Sequence, residues 1–152
     1  MRQLDRREFV IGGASVLTIA TLAVGNGVAQ NAAQGWEEAV KKIIGETKPI
    51  EGKLVLDLPE IAENGNTVPF SISVDSPMTA TDYVKAVHVI STGNPQPGVV
   101  TFRFTPQSGK AAAASRMRLG TTQDIIALAE ISDGKFLQAR RSVKVTIGGC
   151  GG

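Results

Sequence analysis

Short apolar runs rich in β-branched residues, separated by turn-forming residues, occupy the chain from Gly52 almost to its end. They recur roughly every eight to twelve residues, and none of the segments between them has helical periodicity. Seven strands are predicted, at residues 53–58, 67–74, 83–90, 99–105, 111–119, 124–131 and 135–147. Short antiparallel strands without intervening helices favour an all-β, immunoglobulin-like sandwich of two sheets, with a small barrel as the alternative.

Alternation within the strands predicts one buried face and one exposed face for each sheet. Phenylalanine alternates with polar residues over 101–105, and Val143, Val145 and Ile147 alternate with polar residues at the end of the last strand. The Asp133-Gly134 pair predicts a tight hairpin before that strand, because both residue types tolerate the positive φ that a type I′ turn requires.

A short helix is predicted before the strands, over residues 36–45. Four apolar residues recur at the spacing of one helical face: Trp36, Val40, Ile43 and Ile44. Gly45 is expected to end the helix. We expect this helix to lie on the outside of the sandwich, and we expect residues 30–35 before it to form a frayed leader.

The first 29 residues have the pattern of an export signal. Arg6-Arg7 forms a twin-arginine pattern, an uncharged and mostly apolar segment follows, and Gly27-Val28-Ala29 offers the small residues that a signal peptidase recognises. We predict a twin-arginine signal peptide at 1–29, cleaved after Ala29, and a periplasmic mature protein. An uncleaved membrane anchor is the alternative, although an apolar segment of about fifteen residues is shorter than the roughly twenty that a span needs.

Charge and composition exclude several classes of partner and cofactor. Removal of residues 1–29 takes away three of the 16 basic and two of the 14 acidic residues, which leaves 13 and 12. A nearly neutral chain lacks the clustered positive charge that nucleic-acid binding needs. One Cys and one His cannot form a soft metal site, and no glycine-rich phosphate loop follows a strand. We therefore predict no metal, no cofactor and, after cleavage, no membrane contact. Folded export then favours a protein partner carried across with the chain.

The last five residues contain the only cysteine, Cys150, with glycine on both sides: Gly148, Gly149, Gly151 and Gly152. Because glycine accepts almost any backbone conformation, we predict a flexible arm over 148–152 after a domain over 30–147. An extended arm would carry the sulfur roughly 10 Å beyond the last strand.

The chemistry of Cys150 is expected to depend on other proteins. No base or cation lies within three residues of the thiol, so the groups that activate it are predicted to belong to partners, and the chain to be a non-catalytic carrier. The alternative is an exported interaction module whose cysteine forms a structural intermolecular disulfide. A carrier that holds sulfur as a C-terminal thiocarboxylate on Gly152 is a weaker alternative, because forming the thiocarboxylate needs ATP, which an exported protein lacks. Prenylation is excluded, because that motif needs three residues after the cysteine.

Other polar residues have weaker interpretations. Arg140, Arg141 and Lys144 precede the arm and could steer an anionic group toward it, although a solvated sheet face explains them equally well. His88, alone in a strand, is predicted to be structural. The Asn94-Pro95-Gln96-Pro97 loop is predicted to be a stiff, exposed connector.

Four segments together resemble the SoxY family of the periplasmic thiosulfate-oxidising system: the twin-arginine leader and residues 75–79, 132–134 and 143–152, above all the Gly-Gly-Cys-Gly-Gly end. The resemblance implies an immunoglobulin-like fold, an obligate complex with SoxZ, and covalent carriage of sulfur on Cys150. It also implies three transient partners. SoxAX, a c-type haem enzyme, joins thiosulfate to the thiol; the hydrolase SoxB releases sulfate; and the sulfane dehydrogenase SoxCD, where present, oxidises the remaining sulfur.

Overall fold

The computed structural model describes residues 27–149, with side chains from residue 35 onward. This part contains one helix, α1 (Gly27–Ile44), and a 3₁₀ turn at Pro106–Ser108. Its strands are β1 (Ile50–Glu51), β2 (Leu54–Asp57), β3 (Ile61–Ala62), β4 (Val68–Val74), β5 (Val84–Ser91), β6 (Gly98–Arg103), β7 (Ala111–Met117), β8 (Gln123–Ile131) and β9 (Phe136–Val145). The twin-arginine pattern and its apolar segment lie outside the described residues, as do Cys150, Gly151 and Gly152.

The strands form two separate sheets. The larger sheet has the order β1-β9-β8-β5-β6, with β3 also paired to β9, and the smaller sheet has the order β2-β4-β7. Two sheets that are not hydrogen-bonded to each other within the described residues make a sandwich, so the predicted architecture is confirmed and the barrel alternative is wrong. All seven predicted strands are present, as β2 and β4–β9.

Two short strands that the sequence pattern did not predict, β1 and β3, add parallel pairs to the otherwise antiparallel sandwich. Both β1 and β3 pair with β9 in the parallel direction. Each has only two residues, which is too short to show the alternation by which strands are recognised in a sequence. The chain between α1 and β4 therefore runs alongside β9 twice, near its start and near its end.

The core lies between the two sheets and follows the predicted alternation in most strands. In β4, four apolar side chains are buried against the larger sheet: Val68, Phe70, Ile72 and Val74. The middle of β8 is buried on both faces, from Ile125 to Ala129. Ile147, which the alternation assigned to the core, is 69% exposed, because β9 ends two residues earlier.

The β8–β9 hairpin is present, but its predicted turn type is wrong. Gly134 has a φ of 87°, whereas Asp133 does not adopt positive φ, which a type I′ turn would require. The Gly134 amide donates to the carbonyl of Ile131, and the Asp133 carboxylate accepts from the Lys135 amide. A single left-handed glycine after an ordinary turn is the usual arrangement of a slightly longer hairpin loop.

Helix α1 covers the outer face of the larger sheet, as predicted. Its apolar face packs against Ile90, Ile126 and Leu128, which is why the centre of β8 has no exposed side. The helix begins at Gly27 rather than at residue 36, so the prediction of a frayed leader over 30–35 is wrong. Residues 27–29 also belong to the predicted signal peptide, and cleavage after Ala29 stays a prediction. Over residues 27–149, no helix combines the length and the apolar character that crossing a membrane requires.

Candidate functional site

The segment that leads into Cys150 is attached to the sandwich. We call residues 147–149 the arm root. The Gly65 amide donates to the Ile147 carbonyl at 2.8 Å, and the Gly149 amide donates to the Leu119 carbonyl at 3.0 Å. The Leu119 amide in turn donates to the Gly65 carbonyl at 2.8 Å. Three distant parts of the chain therefore meet at the residue immediately before the cysteine.

The glycines of the arm root fit spaces that no side chain could share. A Cβ atom added to Gly148 would lie 2.3 Å from the Gly120 carbonyl oxygen, and one added to Gly149 would lie 2.8 Å from the Gly65 carbonyl oxygen. From the other side, a Cβ atom on Gly65 would lie 2.2 Å from the Leu119 carbonyl oxygen. All three distances are shorter than carbon and oxygen can approach without a bond, so glycine is required here for close backbone contact.

The sequence supplied a different reason for these glycines, namely freedom of movement. The close contacts give Gly148 and Gly149 a second requirement, which no local pattern shows. The flexibility predicted for the arm stays a prediction, since Cys150, Gly151 and Gly152 lie outside the described residues.

A buried amide network supports the loop after β7, against which the arm root lies. The Asn94 side chain donates to the Arg118 carbonyl at 2.8 Å and accepts from the Gly120 amide at 3.1 Å. The Gln123 side chain donates to Asn94 Oδ1 at 3.0 Å and accepts from the Gly93 amide at 2.8 Å. Leu119, between the two backbone groups that Asn94 binds, is fully buried.

The interpretation of the 94–97 loop as an exposed connector is wrong for its first residue. Asn94 is only 6% exposed, whereas Pro95 and Gln96 are exposed. Its partners lie 24 to 29 residues further along the chain, so nothing in the neighbouring sequence distinguishes it from an ordinary turn asparagine. Gly65, inside an Asn-Gly-Asn turn, is equally inconspicuous in the sequence.

The basic residues before the arm have different surroundings. Arg140 donates to the Asp124 carboxylate, from Nε at 2.8 Å, and its guanidinium lies 5.6 Å from the centre of the Trp36 ring. It therefore joins β9, β8 and α1. Arg141 is exposed and donates to the carbonyl of Arg140. Lys144 is exposed one residue before the end of β9, which makes it the member of the group nearest to the arm root along the chain.

The Asp124 carboxylate accepts hydrogen bonds from both Arg140 and Ser142. Hydrogen bonds from Ser142 and Arg140, with the positive charge of Arg140, lower the pKa of Asp124, the Ser142 bond being the largest cause. The carboxylate is therefore ionised over the whole physiological range. Its interactions account for Arg140 structurally, and anion steering by Arg140, Arg141 and Lys144 stays a prediction.

His88 lies beside α1 on the outer face of the larger sheet. Its Nδ1 is 3.0 Å from the Thr101 hydroxyl, and burial is the main cause that lowers the pKa of the imidazole. A neutral, half-buried ring with a hydroxyl partner fits the structural role predicted for it. Between residues 27 and 149, no three His, Cys, Asp or Glu side chains are grouped so that they could hold a metal ion.

A two-sheet sandwich, covered by one helix and followed by a single cysteine just beyond its last strand, defines the general class as a small β-sandwich protein with a C-terminal thiol. The family model of the sulfur oxidation protein SoxY matches residues 40–150, a range that ends on Cys150. The chain belongs to the SoxY family, and the resemblance seen in its sequence is confirmed.

Comparison with solved structures supports the same assignment. The structure of the sulfur carrier protein SoxY from Chlorobium limicola f thiosulfatophilum is 28% identical, with a TM-score of 0.63, over 76% of this chain and 99% of that chain. A search of curated protein sequences found no significant match.

Superoxide reductases have the same fold at low sequence identity. The enzyme (neelaredoxin) from Ignicoccus hospitalis is 16% identical, with a TM-score of 0.56, over 62% of this chain and 80% of that chain. The enzyme from Nanoarchaeum equitans is 11% identical, with a TM-score of 0.52, over 64% of this chain and 96% of that chain. At such identities the likeness concerns the fold alone.

Proposed function

We propose that this protein is a carrier in thiosulfate oxidation and that Cys150 binds the sulfur covalently. The observation that carries the proposal is the SoxY family match, which extends to the only cysteine of the chain. The attachment of the chain at Gly149, immediately before that cysteine, supports it. A carrier must present its thiol to its partners, and a root tied to two loops of the sandwich gives the arm a fixed starting point.

The chemistry assigned to Cys150 requires partner enzymes, because the electrons that it releases need an acceptor. Oxidative conjugation converts the thiol and thiosulfate into a cysteine S-thiosulfonate, and it releases one proton and two electrons. The electrons go to the haem enzyme SoxAX. Hydrolysis by SoxB then adds water across the bond between the sulfane and sulfonate sulfurs, which releases sulfate and leaves a persulfide on Cys150. Where SoxCD is present, it oxidises the persulfide sulfur further.

The absence of an activating group beside Cys150 in the sequence supports a role as substrate of these enzymes. A thiol becomes a nucleophile when a cation or base lowers its pKa, and the nearest cationic residue along the chain is Lys144. We infer that the partners supply activation and that this chain is itself non-catalytic. An unspecialised thiol suits presentation to several different active sites in turn.

The remaining predictions form part of the same proposal. The chain is exported by the twin-arginine route, loses residues 1–29 and works in the periplasm in a heterodimer with SoxZ. Gly151 and Gly152 leave the end of the arm narrow enough to enter partner active sites, because they add no side chain next to the sulfur.

Intact-mass measurement of the protein purified from thiosulfate-grown cells tests the proposal. We expect adducts of thiosulfate, sulfane sulfur or both on Cys150, all removed by a reductant. The Cys150→Ser variant should fold and bind SoxZ like the wild type, and it should lose thiosulfate-dependent activity in the reconstituted system. Wild-type protein alkylated at its single thiol is the matched control, and it should lose activity to the same extent.

Two results would contradict the proposal. Full activity of Cys150→Ser would show that the thiol carries nothing. A stable disulfide from Cys150 to one fixed partner, present in all growth conditions, would favour the interaction module with a structural intermolecular bond.

A further inference from the structure

The backbone of Leu119 connects the arm root to the turn that contains Gly65. Its N–H donates to the Gly65 carbonyl, and its C=O accepts from the Gly149 amide. The Gly65 amide closes the arrangement by donating to the Ile147 carbonyl. A segment attached at both Ile147 and Gly149 cannot swing as a free tail that starts at the end of β9.

Leu119 is itself held from three directions. Its side chain is fully buried in the core. The two peptide groups on either side of it are bound by one side chain, because Asn94 donates to the Arg118 carbonyl and accepts from the Gly120 amide. The amide of Asn94 cannot rotate freely, since Gln123, only 7% exposed, donates to the same oxygen.

Steric contact leaves the arm root little room to shift within this arrangement. Gly65 and Gly149 touch backbone to backbone, and Gly148 lies against the carbonyl of Gly120. Any side chain at these positions would push the backbones apart. Hydrogen bonds hold Ile147 and Gly149, and close contacts hold Gly148 and Gly149, so each residue of the arm root is restrained.

We propose that Asn94, Gln123, Gly65 and Leu119 form a seat for the arm root and that Asn94 and Gly65 are positioning residues for Cys150. This inference rests on the proposed carrier function. Cα atoms of consecutive residues are about 3.8 Å apart, so a seated Gly149 places Cys150 one residue from a fixed point. Without the seat, the chain would be free from the end of β9 onward, and Cys150 would lie several residues beyond the last fixed point instead of one.

A fixed arm root would help a single arm to serve several enzymes. Every partner meets an arm that starts from the same place on the sandwich, because only the residues beyond Gly149 remain to be oriented. Ordering a long flexible segment at each encounter has an entropic cost, which a root already in position reduces. Loss of the seat should therefore slow loading of Cys150 while leaving its thiol intact.

Gly65→Ala in the mature protein tests the seat directly, with Gly98→Ala as the matched control. A Cβ atom at Gly98, an exposed strand residue, would have no atom within 4 Å. Hydrogen exchange measured by NMR should show the Gly149 amide exchanging at least about tenfold faster in Gly65→Ala, because its bond to Leu119 is displaced. Amides in the centre of β8 should exchange as in the wild type, which separates a local change from general destabilisation.

Loading of the thiol is the second measurement. In the SoxZ complex of Gly65→Ala, formation of the thiosulfate adduct by SoxAX should slow by roughly threefold or more. Reaction of the same thiol with iodoacetamide, which needs no partner, should not slow. If Gly65→Ala does not fold, Asn94→Ala provides the same test, since it removes the support of Leu119 without adding an atom to the seat.

The possible results are decisive in either direction. Unchanged Gly149 exchange in a folded variant would overturn the seat, and faster exchange with unchanged adduct formation would overturn the positioning role of Gly65 and Asn94. Failure of the wild type to form any adduct would overturn the carrier function instead, and the exchange measurement would still report on the seat.

Discussion

Replacement of Asn94 by alanine should destabilise the protein more than most single changes in a loop. The side chain is buried, and it makes hydrogen bonds to Arg118, Gly120 and Gln123. Removing it leaves the Arg118 carbonyl and the Gly120 amide without these partners. Gln123 Nε2 keeps its bond to the Thr121 carbonyl, so the loss at that atom is smaller.

The size of the effect follows from the two backbone groups. Both bonds are part-buried, so each lost partner should cost about 1.5 kcal/mol, in the lower half of the range of about 1–3 kcal/mol for a buried group, and we expect the free energy of unfolding to fall by about 3 kcal/mol. For a domain of this length, 1 kcal/mol corresponds to roughly 4 °C in the melting temperature, so Tm should fall by roughly 12 °C.

Circular dichroism during thermal and urea unfolding measures both quantities on the mature protein. The dependence on urea should keep its slope while the midpoint shifts, because the surface exposed on unfolding is nearly the same. Gln96→Ala is the matched control. Gln96 is an exposed amide two residues away in the same loop, and its replacement should change stability by no more than about 0.5 kcal/mol.

Equal stability of Asn94→Ala and Gln96→Ala would contradict this prediction. That result would mean that the loop around Leu119 holds its position without the buried amide, and the support assigned to Asn94 would not exist.

Three further predictions concern the helix and the basic face. Trp36→Ala should weaken docking of α1 by about 2 kcal/mol, through lost packing and the lost contact with Arg140, measured as faster exchange of helix amides with unchanged exchange in β4. Asp124→Asn should cost about 1 kcal/mol at neutral pH. Because the Ser142 hydrogen bond lowers the pKa of this carboxylate, its contribution is complete above its ordinary pKa. It is lost as the pH falls through the lower folded pKa, so wild type and variant should converge as the pH falls below about 4, the ordinary pKa of an aspartate; a constant difference would contradict this. Lys144→Glu should slow reaction of the C-terminal thiol with an anionic disulfide reagent by roughly two- to threefold at low salt, but not with iodoacetamide; equal slowing of both would exclude steering.

Much of the fold could be predicted because its signals are local. A strand half-buried in a sandwich alternates in its own residues, as β4 does, and an amphipathic helix shows its apolar face in its own spacing, as Trp36 and Val40 do. The two-residue strands β1 and β3 have no room for such a signal. The turn type at Asp133 was wrong because the pair of residues allows two loop geometries, and the pairing of β8 with β9 selects between them.

Local patterns were enough to identify β2 and β4–β9, the apolar face of α1, and the single thiol with the family motif that surrounds it. How Gly149 is held could be seen only in the folded chain, because its partners, Leu119 and Gly65, come from loops far away in the sequence. A run of glycines has the same appearance in a sequence whether it provides freedom or close contact. Packing distinguishes the two, since a missing Cβ matters for contact only where another backbone occupies its place.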